Sequence, residues 1–597
     1  MKPNTIWNLN QLKPKNDPEF KTLRQTIQQK ADEFVNKWQN NDQYLKDPKV
    51  LRQALDDYQQ WNQHYAMGSS ESYYIDLHLA LDQANPDLKA KDNQISDITR
   101  KISNQMIFFS MRIAKIDKET QQKFLKAKQL QPYRHFLEQL FLEAKYLLSE
   151  PEEKILNLAS KTAYGDWVHM LNSFLGKEEA KVLTENGKKE TKSFSEITSL
   201  LNSTNPKVRD GAAKAFNQIL GKHVDVAENE FNAVLGYKKM SDDLRAMPRP
   251  DLARHLGDDI ESEVVDTLIE TVANRYDIAK RYYQFKAKLF NKKQLKYHER
   301  NVPYSQVDKP YSYIQALDLV HMVFSQLDPE FSQILKDFND QGLIDAFPKK
   351  GKAGGAFCAH FLKIHPTYIL LNHTDKLNDV LTLAHEAGHG INNELVRKAQ
   401  PAIYYGTPTS TAEVASTFFE DFVLQELIKD ANQEEQLSLL MDKLNDEIST
   451  IHRQIAFYKF EQDCHQEFRK VGYLSKETMG QLFQKHTASY MGDVVEQSPG
   501  SQNWWIYVGH FRRFFYVYSY AGGLLISKAL QHMVKQNPKD IDKVKQFLSA
   551  GTSMSPKEIF AQLDIDITQK QFWNDGLNEV EQTLNAAEKL AQKLGKI

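Results

Sequence analysis

Apolar residues recur at steps of three and four along most of this chain, the period of an amphipathic helix. Near the start, Phe20, Leu23, Ile27, Ala31, Phe34 and Trp38 make one such stripe, and near the end Leu577, Val580, Leu584, Ala587, Ala591 and Leu594 make another. Strand-like patches are few and short. Val182-Leu183-Thr184 and Lys189-Glu190-Thr191 flank Asn186-Gly187, which predicts a hairpin closed by a type I′ turn. Phe357-Cys358-Ala359-His360-Phe361 and Tyr368-Ile369-Leu370-Leu371 read as two more strands, after the glycine-rich run Gly351 to Gly355. That run lacks the spacing of a phosphate loop. The fold class expected is mainly α with a small β element. Thr204-Asn205-Pro206 reads as a cap with proline at the first helical position. It divides an N-terminal helical domain, residues 1–205, from a second domain, residues 206–597.

One helical stretch carries chemistry. Leu377, Leu381, Ala384, Gly388, Ile391 and Leu395 form an apolar stripe, and His385 and His389 run beside it. Residues four apart share a helix face, so the two imidazoles can grip one metal ion. Glu386 can then take a proton from a water on that ion, as in the H-E-x-x-H motif of zinc peptidases. Asn372 and Thr374 offer capping oxygens ahead of the helix. Gly388 and Gly390 cost helix propensity, and close approach by another element would account for them. A lone H-E-x-x-H arises by chance in roughly a few per cent of chains this rich in histidine, so a third ligand is needed.

Glu413 supplies it. It lies 24 residues past His389, on a second helical pattern in which Val414, Phe418 and Phe422 recur every four residues. A short loop and an antiparallel helix would return it to the histidines. Two His and one Glu leave a fourth position open, the catalytic arrangement of a single Zn²⁺. Glu420 shares a face with Glu413 and could orient a ligand histidine. The two strands before the histidine helix could pair with an extended peptide or simply pack beneath the helix.

Composition narrows the partners. The chain has 597 residues, 41% hydrophobic and 26% charged, with a net charge of −2. No basic excess suggests nucleic acid or a membrane surface, and no apolar run reaches membrane-span or signal-peptide length. Cys358 and Cys464 are the only cysteines, too few for a disulfide framework, which fits a cytoplasmic protein.

Gly354-Gly355-Ala356, His385-Glu386-Ala387-Gly388-His389 and Glu413-Val414-Ala415-Ser416-Thr417 together resemble the oligoendopeptidase F branch of the thimet-oligopeptidase-like zinc peptidases. Trp7-Asn8-Leu9, His510 followed by Phe515 to Ala521, and Ser555-Pro556 through Phe572-Trp573 continue the likeness. The resemblance implies two helical lobes around a deep channel that admits short unstructured peptides. It also puts His510 and a nearby tyrosine, best Tyr518 and less securely Tyr516 or Tyr520, beside the tetrahedral oxyanion. One departure is Asn392, where the family commonly carries a further histidine. The expected activity is hydrolysis of internal bonds in short peptides. The alternatives are an exopeptidase on the same site and an inactive helical peptide-binding protein. His360, His365, His465 and His486 are expected to be ordinary histidines.

Overall fold

The computed structural model describes residues 2–12, 16–305 and 309–597. Helices dominate, joined by short turns, and no helix among the described residues is long and apolar enough to cross a membrane. The first long helix, Asp17–Trp38, buries Phe20, Ile27, Ala31, Phe34 and Trp38, the predicted stripe except for Leu23, which is only half-buried. Its side chains join a separate apolar core built from residues between Ile27 and Phe141. The larger core runs from Trp7 to Ala591 and surrounds the histidine helix. The last helix, Lys570–Lys593, adds Leu577, Val580, Leu584, Ala587 and Ala591 to it.

Asn205 caps the 39-residue helix Pro206–Leu244, its side chain accepting from Lys207 N, with Pro206 in the first turn. The first dozen residues pack far along the chain. Trp7 donates its indole N–H to the Ile369 carbonyl at 2.8 Å, and Ala346 N–H reaches the Thr5 carbonyl at 3.0 Å. This anchors the strands that precede the histidine helix. They form a three-stranded sheet in the order Ile344–Asp345, Tyr368–Leu370, Phe357–Ala359; the outer pair is antiparallel, with Cys358 opposite Ile369. Phe357–Ala359 is therefore an edge.

The hairpin forms over Glu179–Leu183 and Lys189–Ser193, but not with the predicted turn. Gly187 N–H bonds the Thr184 carbonyl and Thr184 N–H bonds the Lys188 carbonyl, both at 2.9 Å. Gly187 has φ +77° while Asn186 is not left-handed. A type I′ turn requires positive φ at both central residues, so this is a three-residue loop ending in a left-handed glycine.

The histidine helix spans Leu377–Ala399, and the helix that carries Glu413 spans Ala412–Lys429. Neither Asn372 nor Thr374 caps the first. Asp379 reaches back instead, accepting from Thr374 N–H at 2.6 Å and Lys376 N–H at 3.0 Å, while Asn372 ties down the Ala353 and Gly355 carbonyls. A carboxylate with two N–H donors at a helix N-terminus outcompetes neutral caps.

Both glycines of the histidine helix are explained by contact. A Cβ on Gly388 would lie 2.9 Å from Ser416 Cα and 3.0 Å from the Ala415 carbonyl, and one on Gly390 would lie 2.5 Å from the Phe338 ring. The two helices thus meet backbone to backbone at Gly388. Replacing Gly388 with alanine would gain about 1 kcal/mol of helix propensity but forces rigid backbone apart, an overpacking cost of about 1–3 kcal/mol. Thermal unfolding of Gly388→Ala is expected to show a lowered Tm; a raised Tm would mean the helices can part freely.

Candidate metal centre

His385, His389 and Glu413 each direct one ligand atom into a common space, all within 4.8 Å of one another. Glu413 Oε2 lies 3.4 Å from His385 Nε2 and 3.6 Å from His389 Nε2. Ligands about 2.0–2.1 Å from a tetrahedral zinc ion stand roughly 3.3–3.5 Å apart, so the residues present fit such an ion closely. Glu413 is aimed by Ser416, whose hydroxyl donates to Glu413 Oε2 at 3.0 Å. His385 is aimed by Glu420, which meets its Nδ1 at 2.9 Å and leaves Nε2 for the metal.

The charges of the site suit a bound cation. Burial alone would lower the His385 pKa, but hydrogen bonds to Glu413 and Glu420 raise it to about 10. Burial lowers His389 to about 4. Against its own burial, Glu413 is pulled to about 2, chiefly by the two histidines. Glu386 is buried beside them, and desolvation pushes its carboxyl to about 7. The Cys358 backbone N–H on the edge strand acts in the opposite direction. Glu386 therefore lies between the candidate metal ligands and the strand edge.

The centre opens into a cavity of about 760 Å³. His385, Glu413 and Glu420 line it together with Leu381, Tyr520 and the helix Gln433–Thr450. Leu381, expected in the apolar stripe, faces this cavity.

His510 and Tyr518 are not brought together. Tyr518 is 1% exposed, and its hydroxyl donates to Asp258 Oδ2 at 2.8 Å. It belongs to the core, so the expectation that Tyr518 serves the reaction is corrected. Tyr520 takes the cavity position, its hydroxyl 3.1 Å from His510 Nε2. Residues two apart on a helix point about 200° apart, so only one can face the metal. The phase is set just upstream, where Phe514 and Phe515 have φ of +49° and +56°. Arg254 holds the Arg513 and Phe514 carbonyls, and Glu461 accepts from Phe515 N–H at 2.7 Å. No pattern of residue types announces that strained pair.

Asn392 is buried and structural. Its amide donates to the Leu548 carbonyl at 2.6 Å and accepts from Thr407, tying the histidine helix to its surroundings. His365 meets Ser70 and His486 meets Asp463, while His465 is wholly buried. His360 packs its ring against Tyr405.

Comparison with known proteins places this geometry. The profile of Peptidase family M3 matches residues 199–579, and that of Oligopeptidase F matches residues 112–171. The plasmid-borne oligoendopeptidase F of Lactococcus lactis subsp. cremoris is 25% identical over 533 residues, 88% of each chain. An oligoendopeptidase F homolog of Borreliella burgdorferi is 26% identical, covering 87% of this chain and 88% of its own. Among solved structures, one from Chlamydophila abortus superposes with a TM-score of 0.86 at 21% identity, covering 99% of both chains. Oligoendopeptidase F from Enterococcus faecium superposes with a TM-score of 0.71 at 20% identity, covering 97% of this chain and 99% of its own. At these identities the structural likeness establishes the fold.

Because His385 holds a proton up to about pH 10 in the protein alone, a metal must expel that proton to bind. Affinity is then expected to rise with pH, by about tenfold per unit through the neutral range. Competition with a chromogenic chelator at three pH values reads this directly; a flat profile would contradict the charge state of His385.

Proposed function

The chain belongs to peptidase family M3, and on that premise we propose that it is a zinc-dependent endopeptidase that cuts internal bonds of short peptides. Membership makes it a metallopeptidase. The observation that carries the finer reading is the match between the 3.4 and 3.6 Å ligand spacings and a tetrahedral ion, with Glu386 buried alongside. His385, His389 and Glu413 would hold the ion. When bound, it supplies Lewis acidity, polarising the scissile carbonyl and acidifying a water.

The chain's own residues do the rest. Glu386 takes the proton of the attacking water as general base and returns it to the leaving amine. Its burial favours this exchange, because a carboxyl lifted toward about 7 both accepts and releases a proton near neutrality. The Tyr520 hydroxyl, steadied by His510, is the donor for charge developing on the carbonyl oxygen. The half-buried edge Phe357–Ala359 would pair with the peptide main chain, which selects extended peptides without reading their sequence. Both cysteines are free thiols, which supports a reducing, cytoplasmic setting.

Glu386→Gln is expected to keep its metal by elemental analysis and to lose at least about a thousandfold in kcat, in line with loss of a general base. Near-normal turnover would remove Glu386 from the chemistry. The intact, metal-loaded protein is expected to cut peptides blocked at both ends at internal bonds, read by mass spectrometry. Single-residue trimming of free-ended peptides alone would favour an exopeptidase.

A further inference from the structure

The segment between His510 and Tyr520 is gripped by an ion pair that the reaction described above does not use. Phe514 and Phe515 are left-handed in succession, a costly backbone that persists only where its surroundings hold it. Arg254, on the short helix Leu252–Gly257, donates from Nε to the Phe514 carbonyl at 3.1 Å and from Nη2 to the Arg513 carbonyl at 2.8 Å. Its guanidinium lies over the Tyr516 ring, 5.5 Å from the ring centre. Nη1 stands 3.4 Å from Asp258 Oδ1. The other Asp258 oxygen accepts from the Tyr518 hydroxyl at 2.8 Å. One ion pair thus touches residues 513, 514, 516 and 518, which are the strained turn and the first residue of the helix Tyr518–Gln536.

The other polar contacts that reach this turn from elsewhere in the fold end before Tyr516. Glu461 takes the Phe515 N–H, and the Phe515 ring packs against His465 and Tyr458. Tyr164 bonds the Arg512 carbonyl and packs against Phe514. No side chain caps the helix that follows, so its first turn takes its orientation from the Tyr518 anchor. Asp258 holds Tyr518 inward. Tyr520, two residues on, points about 200° away, into the cavity and against His510. Asp258 also marks the metal side, because its carbonyl accepts from the Ser410 hydroxyl at 3.3 Å, on the turn that leads into the Glu413 helix. Tyr520 and Glu413 are therefore located from the same residue.

We propose that Arg254 and Asp258 are positioning residues: their ion pair, joined to the strained turn at one end and to the Tyr518 hydroxyl at the other, aims the Tyr520 hydroxyl at the place where charge develops. This rests on the peptidase reading, in which Tyr520 is the donor. Tyr518 takes no part in the chemistry and serves as the handle. A group displaced by about 1 Å from its working position can lose about a hundredfold in rate. Slack in this anchor therefore reaches the rate without touching the metal ligands or the peptide.

The test uses the metal-loaded protein and an internally quenched peptide blocked at both ends. Arg254→Met is expected to lower kcat about tenfold to a hundredfold, with KM within about threefold and zinc content unchanged by elemental analysis. Tyr520→Phe is expected to lower kcat about a hundredfold. Added to Tyr520→Phe, Arg254→Met is expected to cost less than about twofold more, because no hydroxyl remains to be aimed. An unchanged kcat in Arg254→Met, or the same loss with and without the Tyr520 hydroxyl, overturns the assignment. Tyr518→Phe removes a single oxygen, keeps the ring in the core and repeats the cycle should Arg254→Met fail to fold. It is expected to lower kcat about tenfold, again only when the Tyr520 hydroxyl is present. If the unaltered protein cuts no peptide, the peptidase reading fails, and crystals of Tyr518→Phe still decide the positioning. A Tyr520 hydroxyl displaced from His510 Nε2 supports it, and a contact retained at 3.1 Å contradicts it.

Discussion

The backbone contact between Gly388 and Ser416 is the constraint on which the site depends. A Cβ at Gly388 would come within 2.9 Å of Ser416 Cα, so any other residue there would hold the two helices apart. Glu413 lies one turn before Ser416 and reaches the histidines only because the axes are this close. The same approach lets Ser416 orient Glu413 and lets Glu420, two turns on from it, orient His385. A third helix, Tyr518–Gln536, closes from behind, with Gly523 placed where a Cβ would be 3.4 Å from that of Glu413. The geometry of three ligand atoms is thus set by packing rather than by the ligands themselves.

Packing at this density concentrates negative charge. Glu386, Glu413 and Glu420 surround two imidazoles in a half-buried setting, and hydrogen bonds to Glu413 and Glu420 raise the pKa of His385 against its burial. A divalent ion satisfies that demand better than a proton, because it neutralises Glu413 and lowers the cost of ionising Glu386 together.

How much of this could be read in advance follows the range of each interaction. The histidine pair and its helix were legible because i, i+4 spacing is a local property. Glu413 was legible once a short antiparallel return was assumed, and the glycines because only contact justifies them mid-helix. What depended on long-range or strained backbone was not. Tyr520 rather than Tyr518 faces the cavity because Phe514 and Phe515 adopt left-handed conformations held by Arg254 and Glu461, residues about 260 and 54 positions away. The turn at Gly187 and the cap by Asp379 depended on which of several equivalent hydrogen bonds won.

We propose that two helices in backbone contact gather His385, His389 and Glu413 around one divalent ion. Anomalous diffraction from crystals of the zinc-loaded protein, collected on both sides of the zinc edge, tests it most directly. One strong peak is expected about 2.0–2.2 Å from His385 Nε2, His389 Nε2 and a Glu413 carboxylate oxygen. A peak elsewhere, or a peak bound by the histidines with Glu413 turned away, would contradict it.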